Sequence, residues 1–171
     1  MKQWVCVLPL LVLLAVSSSA ATLTFIATGL EAPGLSPLNE NPPHPTSSAT
    51  GTALVTWDTA TTMMTVNVVF SGLARPSTAA HIHCCTTFPG GNAGVATTVP
   101  FFPGFPIGVT SGTYAHAFDM LNAASYNPAF VTAHGGTPVS AAADLLTGIL
   151  AGEAYMNIHS MMFPEIGRAH V

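Results

Sequence analysis

Two short runs concentrate the residues able to ligate a metal or exchange electrons. They are His81-Ile82-His83-Cys84-Cys85 near the middle of the chain and Asn157-Ile158-His159 near its end. In an extended segment, side chains at i and i+2 project from one face. The imidazoles of His81 and His83 therefore point together while Ile82 enters the opposite layer. His159 arrives on a second apolar–polar alternation, on the face shared with Tyr155 and Asn157. Three imidazoles with an open fourth position suit copper or zinc, and His81, His83 and His159 are the candidate metal ligands. The competing reading is that all three satisfy hydrogen bonds between neighbouring core strands. No residue is assigned a catalytic role.

The cysteines depend on the compartment. Residues 1–21 have the form of a signal peptide: Met1-Lys2 supplies a basic start, residues 5–16 are apolar, and Ser17-Ser18-Ser19-Ala20-Ala21 offers small residues for cleavage. The apolar run is short for a bilayer span, so the mature chain is expected to carry no transmembrane helix. Secretion, or delivery to the periplasm or cell surface, is expected. Cys6 would leave with that segment, and only Cys84 and Cys85 would remain. Two thiols in an oxidising compartment usually pair, and a vicinal disulfide is expected. Two free thiols or a soft-metal contact are the alternatives.

Composition excludes other classes. Of 171 residues only 6% are charged, and the basic ones are Lys2, Arg75 and Arg168. A nucleic-acid partner is discarded, because neutralising phosphates needs a basic footprint. The seven acids are scattered, and no Gly-x-Ser-x-Gly, phosphate loop or His-Glu-x-x-His occurs. Abundant Thr, Ala, Gly and Pro suit a β-rich, turn-rich domain.

The elements that must position the histidines follow from periodicity. Residues 22–28, 50–58 and 63–70 alternate like strands, the last two forming a hairpin with Met64, Val66, Val68 and Phe70 on one core-facing side. Residues 29–50 are a Pro- and Gly-rich loop in which His44 reads as exposed. Residues 88–108 form a second long loop whose Phe-Pro pairs are expected to cap the open end of a sandwich. A strand over 109–120 carries Tyr114, His116 and Phe118. A helical turn begins at Pro128, a helix spans 137–146 and ends at Gly148 or Gly152, and a late strand covers 153–160. These signals predict an all-β, Greek-key or immunoglobulin-like β-sandwich with one or two short helices near residues 128–150. Residues 167–171 are expected to be non-native, because Ile166 to Val171 reverse-translates to a common sequencing-adapter string.

With these residues in view, the chain resembles the CHRD (chordin-type) domain of secreted proteins, in its bacterial form. The resemblance runs over residues 22–166. It rests on Asn39-Glu40-Asn41-Pro42-Pro43, Gly51-Thr52-Ala53, Phe70-Ser71-Gly72-Leu73, Ala79-Ala80-His81-Ile82-His83, Gly112-Thr113-Tyr114, Leu150-Ala151-Gly152 and Tyr155-Met156-Asn157-Ile158-His159. It implies a secreted β-sandwich with no established catalytic reaction and does not by itself supply a ligand; a non-catalytic binding or structural module is expected, its partner an unknown extracellular protein or cell-surface ligand. The alternative is a copper- or zinc-binding protein using the three histidines. That arrangement is similar, remotely, to the copper strands of copper/zinc superoxide dismutase, although a bridging histidine would have to be His116 or His134.

Overall fold

In the computed structural model, residues 20–27, 35–36, 39, 48–87, 91–162 and 169–170 are described. Residues 1–19 of the expected signal peptide, His44, residues 163–168 and Val171 lie outside them. Seven strands and two helices follow in order: β1 (Thr22–Ile26), β2 (Thr50–Asp58), β3 (Met63–Ser71), β4 (Ser77–His83), β5 (Gly112–Asp119), α1 (Pro128–Ala133), α2 (Pro138–Leu150), β6 (Tyr155–Ser160) and β7 (Ala169–His170). They form two antiparallel sheets, β1-β2-β3-β5 and β4-β6-β7. The architecture is an all-β sandwich, as the alternation predicts.

The β2–β3 hairpin shows how the sequence imposes this. Val55 lies opposite Val66 and Trp57 opposite Met64, and all four are essentially fully buried. Period-two alternation sends the intervening Thr56 and Thr65 to the other side. Met64 and Val68 meet Phe118 and Tyr114 of β5, so the methionine packs in the core. At the turn, Asp58 Oδ1 accepts hydrogen bonds from the backbone N–H groups of Ala60 and Thr61 at 2.8 and 3.2 Å. These bonds hold the Asp58 carboxyl below its ordinary pKa.

Thr62 closes that turn at φ 56°, the only non-glycine residue with positive φ among the described residues. A β-branched side chain is disfavoured there by about 1 kcal/mol. Thr62→Asn should therefore raise the urea midpoint by an amount equivalent to roughly 0.5–1 kcal/mol. An unchanged or lower midpoint would mean that the threonine side chain compensates its backbone.

The second sheet contributes Ala80 and Ile82 from β4, and Met156 and Ile158 from β6, to the same core. The free edge of β4 is not left open. The run from Gly94 to Val109 lies along it, through Cys84 N to Gly94 O, Ala96 N to Ile82 O, Phe102 N to Ala80 O and Ser77 N to Val109 O. Thr97 adds its hydroxyl, which accepts from Ile82 N at 2.9 Å. An unpaired sheet edge is thereby satisfied by irregular chain. Phe102 and Phe105 from this run are buried, with Phe102 stacked on Tyr114 and Phe105 on Phe70. The Phe-Pro loop is a lid on the core.

Asn127 and Thr137 cap the two helices. The Asn127 side chain accepts from Ala129 N with Pro128 at the first helical position, and Thr137 forms a capping box with Ser140. Helix α2 runs past Gly148 to Leu150, and Gly152 follows at φ +70°. Of the two expected terminators, Gly152 ends it. Gly148 has a different task, because a Cβ there would meet the sulfurs of Cys84 and Cys85 at 2.3 and 2.7 Å.

Candidate metal centre

The register of β4 and β6 sets Ala79 opposite His159, His81 opposite Asn157, and His83 opposite Tyr155. Directly opposed residues share a face. One side of this strand pair therefore carries all three histidines, with Asn157 and Tyr155, while the other carries Ile82, Met156 and Ile158 into the core. The ring centroids of His81, His83 and His159 form a triangle with sides of 5.9, 5.1 and 5.9 Å. One nitrogen from each ring lies within 4.8 Å of the other two.

The hydrogen bonds fix which nitrogens face inward. His81 Nε2 is 2.7 Å from the carbonyl oxygen of Pro100, and His83 Nδ1 is 3.0 Å from that of Ala93. A carbonyl only accepts, so both ring nitrogens carry the proton and donate. The lone pairs are left on His81 Nδ1 and His83 Nε2. Metal-binding histidines are commonly held in this way, with the outward N–H tied to a carbonyl or carboxylate. His81 Nδ1 stands 3.2 Å from His159 Nε2, and with His81 Nδ1 as acceptor, His159 Nε2–H is the donor in the metal-free protein.

Burial tunes these groups in the direction a ligand needs. His81 and His83 are 6% and 7% exposed. Desolvation lowers the pKa of His81, partly offset by its bond to Pro100. His159 is pushed down to about 3, first by burial and then by the neighbouring His81 and His83. Both imidazoles are neutral at pH 7, the form that binds metals.

A tetrahedral ion with nitrogen bonds of about 2.0–2.1 Å holds its ligands about 3.4 Å apart. His81 and His159 already stand near that spacing. The remaining separations, bounded by 4.8 Å, need an inward movement of at most about 1.4 Å to reach it. Asn157 adds a second feature. It is 1% exposed, and its Oδ1 is buried with no hydrogen-bond partner among the described residues. A buried amide oxygen left so is costly, and a ligand bound beside His81 would give it a donor.

The other sequence candidates lie elsewhere. His116 is on β5 in the other sheet, between Tyr114 and Phe118, and His134 bonds to Asp144. Neither joins the triad as a bridging ligand. Sequence reading missed the carbonyls of Ala93 and Pro100, for which no side-chain signal exists, and gave Asn157 no role although its alternation with His159 marked the face. Cys84 and Cys85 are joined by a disulfide. A surface depression of about 410 Å³ on the outer face of the four-stranded sheet has no histidine, cysteine or carboxylate in its lining.

Among the described residues no helix is long and apolar enough to cross a membrane. No curated protein and no solved structure matches the chain. The family model of the CHRD domain matches residues 34–168, which include both histidine strands, and the chain belongs to this family of extracellular-type modules.

Proposed function

We propose that this chain is an exported CHRD module whose binding function is to hold one copper or zinc ion through His81, His83 and His159. The observation that carries the reading is the pair of backbone carbonyls, Ala93 and Pro100, that turn two imidazole lone pairs toward a third ring. Any buried imidazole N–H needs an acceptor; what favours a ligand role is that a nitrogen of each of the three rings clusters within 4.8 Å of the others. Copper is expected to bind more tightly than zinc at an all-nitrogen site. Asn157, opposite His81 on the same strand pair, has a buried Oδ1 without a hydrogen-bond partner among the described residues and would be an acceptor for a group bound there. The role is read as binding or structural, as the family resemblance implies. Export rests on the basic start, apolar run and small-residue segment of residues 1–21 together with the extracellular type of the family.

The test is metal content and titration of the purified full chain. One equivalent of copper or zinc per chain is expected. His81→Ala and His159→Ala should each weaken binding by at least about 100-fold, as loss of one of three ligands implies. Saturating metal at about 100 times its dissociation constant should stabilise the wild type by about 2.7 kcal/mol. A protein that takes up no metal on titration, or one whose uptake survives both substitutions, would remove this reading.

A further inference from the structure

The metal reading leaves the disulfide unused. Cys84 follows His83 and so projects to the opposite face from the triad. It forms part of the wall of a separate cleft of about 260 Å³, whose lining also includes Gly94, Asn127, Phe130 and His134. Cys85 packs on the backbone of α2, its Sγ 3.9 Å from the carbonyl oxygen of Asp144. The same Asp144 presents its carboxylate to His134, with Nδ1 to Oδ2 at 2.9 Å. The Phe130 ring stacks on that imidazole at a centroid distance of 3.9 Å. Cys84, just past β4, and His134, at the end of α1, thus line one cleft, and Asp144 of α2 holds the imidazole by its hydrogen bond.

This is the layout of an acid–base pair beside an electrophilic sulfur. With the Asp144 carboxylate accepting from Nδ1–H, His134 Nε2 is the basic nitrogen, and it belongs to a residue in the wall that Cys84 shares. The helix positions are set locally. His134 is the C-cap of the six-residue α1, and Asp144 sits one turn before Gly148 on α2, the residue whose missing side chain makes room for both sulfurs. The imidazole is a quarter exposed and the carboxylate half exposed, while Cys84 itself is only 4% exposed, so a thiol must enter the cleft past His134 to meet that sulfur.

We propose that Cys84–Cys85 is a thiol–disulfide exchange site, with the cleft as its entry and His134, oriented by Asp144, as its acid–base group. The co-reactant is a dithiol, from a small molecule or another protein. Its first thiol gives its proton to His134 Nε2, and the resulting thiolate attacks Cys84 Sγ. The S–S bond to Cys85 breaks, and Cys85 leaves as a thiolate that takes the proton back. The second thiol then attacks the mixed disulfide, releasing the dithiol as its disulfide and leaving Cys84 as a thiol. Two electrons pass from the dithiol to the protein, and two protons follow them.

The experiment uses the full chain, dithiothreitol as the dithiol, and maleimide trapping read by mass spectrometry. Two maleimide additions should appear in the folded protein. His134→Gln should slow their appearance by at least about tenfold at pH 7, in line with the loss of general base catalysis, and Asp144→Asn by less. The deficit should close above about pH 9, where the dithiol ionises without help; a purely structural effect of His134 would persist there. Circular dichroism checks that the variants are folded. Additions that appear only at the rate of global unfolding would overturn the proposal, and so would equal rates for wild type and His134→Gln at pH 7.

Discussion

Gly148→Ala is expected to destabilise the protein by about 2–3 kcal/mol, the upper range for overpacking a core. Intrinsic propensity argues the opposite way, because alanine in a helix interior is favoured over glycine by about 1 kcal/mol. The contact distances decide the sign. A Cβ at this position would lie 2.3 Å from Cys84 Sγ and 2.7 Å from Cys85 Sγ, far inside the separation of about 3.5–4.0 Å at which carbon contacts are attractive. Two sulfurs locked together cannot swing aside independently, so helix α2 must move. Urea unfolding of four proteins isolates the cause: wild type, Gly148→Ala, the Cys84→Ala/Cys85→Ala pair, and the triple variant. Without the sulfurs, the glycine-to-alanine change should reverse sign and stabilise by up to about 1 kcal/mol, as helix propensity dictates. An equal loss in both backgrounds would show that the disulfide is not what the glycine accommodates.

Lowering the pH should destabilise the metal-free protein before its carboxylates titrate, and His159 is the main reason. In the unfolded chain a histidine takes up its proton near pH 6.5, whereas the folded protein holds His159 to about 3. Between these values the unfolded state binds the extra proton, so stability rises with pH. The folded state has its full stability above about pH 6.5 and loses it progressively as pH falls toward 3, by up to about 1.4 kcal/mol per pH unit. His81 is shifted in the same direction by burial and deepens the slope. Asp58 acts in a lower window, because its folded pKa lies below the ordinary carboxylate value. Unfolding free energies measured at pH 7.5, 6, 5 and 4 should therefore fall steadily in wild type, and His159→Gln should flatten that fall. A slope unchanged in His159→Gln would place the acid sensitivity elsewhere. With metal bound, the same protons compete with the ion for the ring nitrogens, so metal release belongs to the same interval.

Much of the scaffold was legible because alternation is a strong signal. From Ala53 to Trp57 in β2 and from Met64 to Phe70 in β3 every second residue is apolar and buried, so face, register and hairpin all follow from one pattern. The triad was legible for the same reason: i, i+2 spacing put His81 and His83 together, and the matching alternation through His159 gave the third ring. The carbonyls of Ala93 and Pro100 were not. A main-chain acceptor is available at every residue, and only the path of the chain decides which one meets an imidazole. Gly148 misled in a different way. A glycine late in a helix reads as a terminator, but here close approach of the sulfurs, rather than a left-handed backbone, requires it. The pairing of His134 with Asp144 spans two helices joined by a tight turn, and neither residue sits in a motif that announces the other.

The Gly94–Val109 run along β4 also has a consequence for how such a site could diversify. The imidazoles belong to paired strands, whose register the core enforces, while the carbonyls that choose their tautomers belong to irregular chain at or just before this run. Ligand identity and ligand orientation are thus encoded in separate stretches. On the proposed metal reading, substitutions around Ala93 and Pro100 are expected to retune metal preference, whereas Ala96, Phe102 and Phe105 of the same run belong to the core and must stay; a design effort should begin at the former and leave the histidine strands alone.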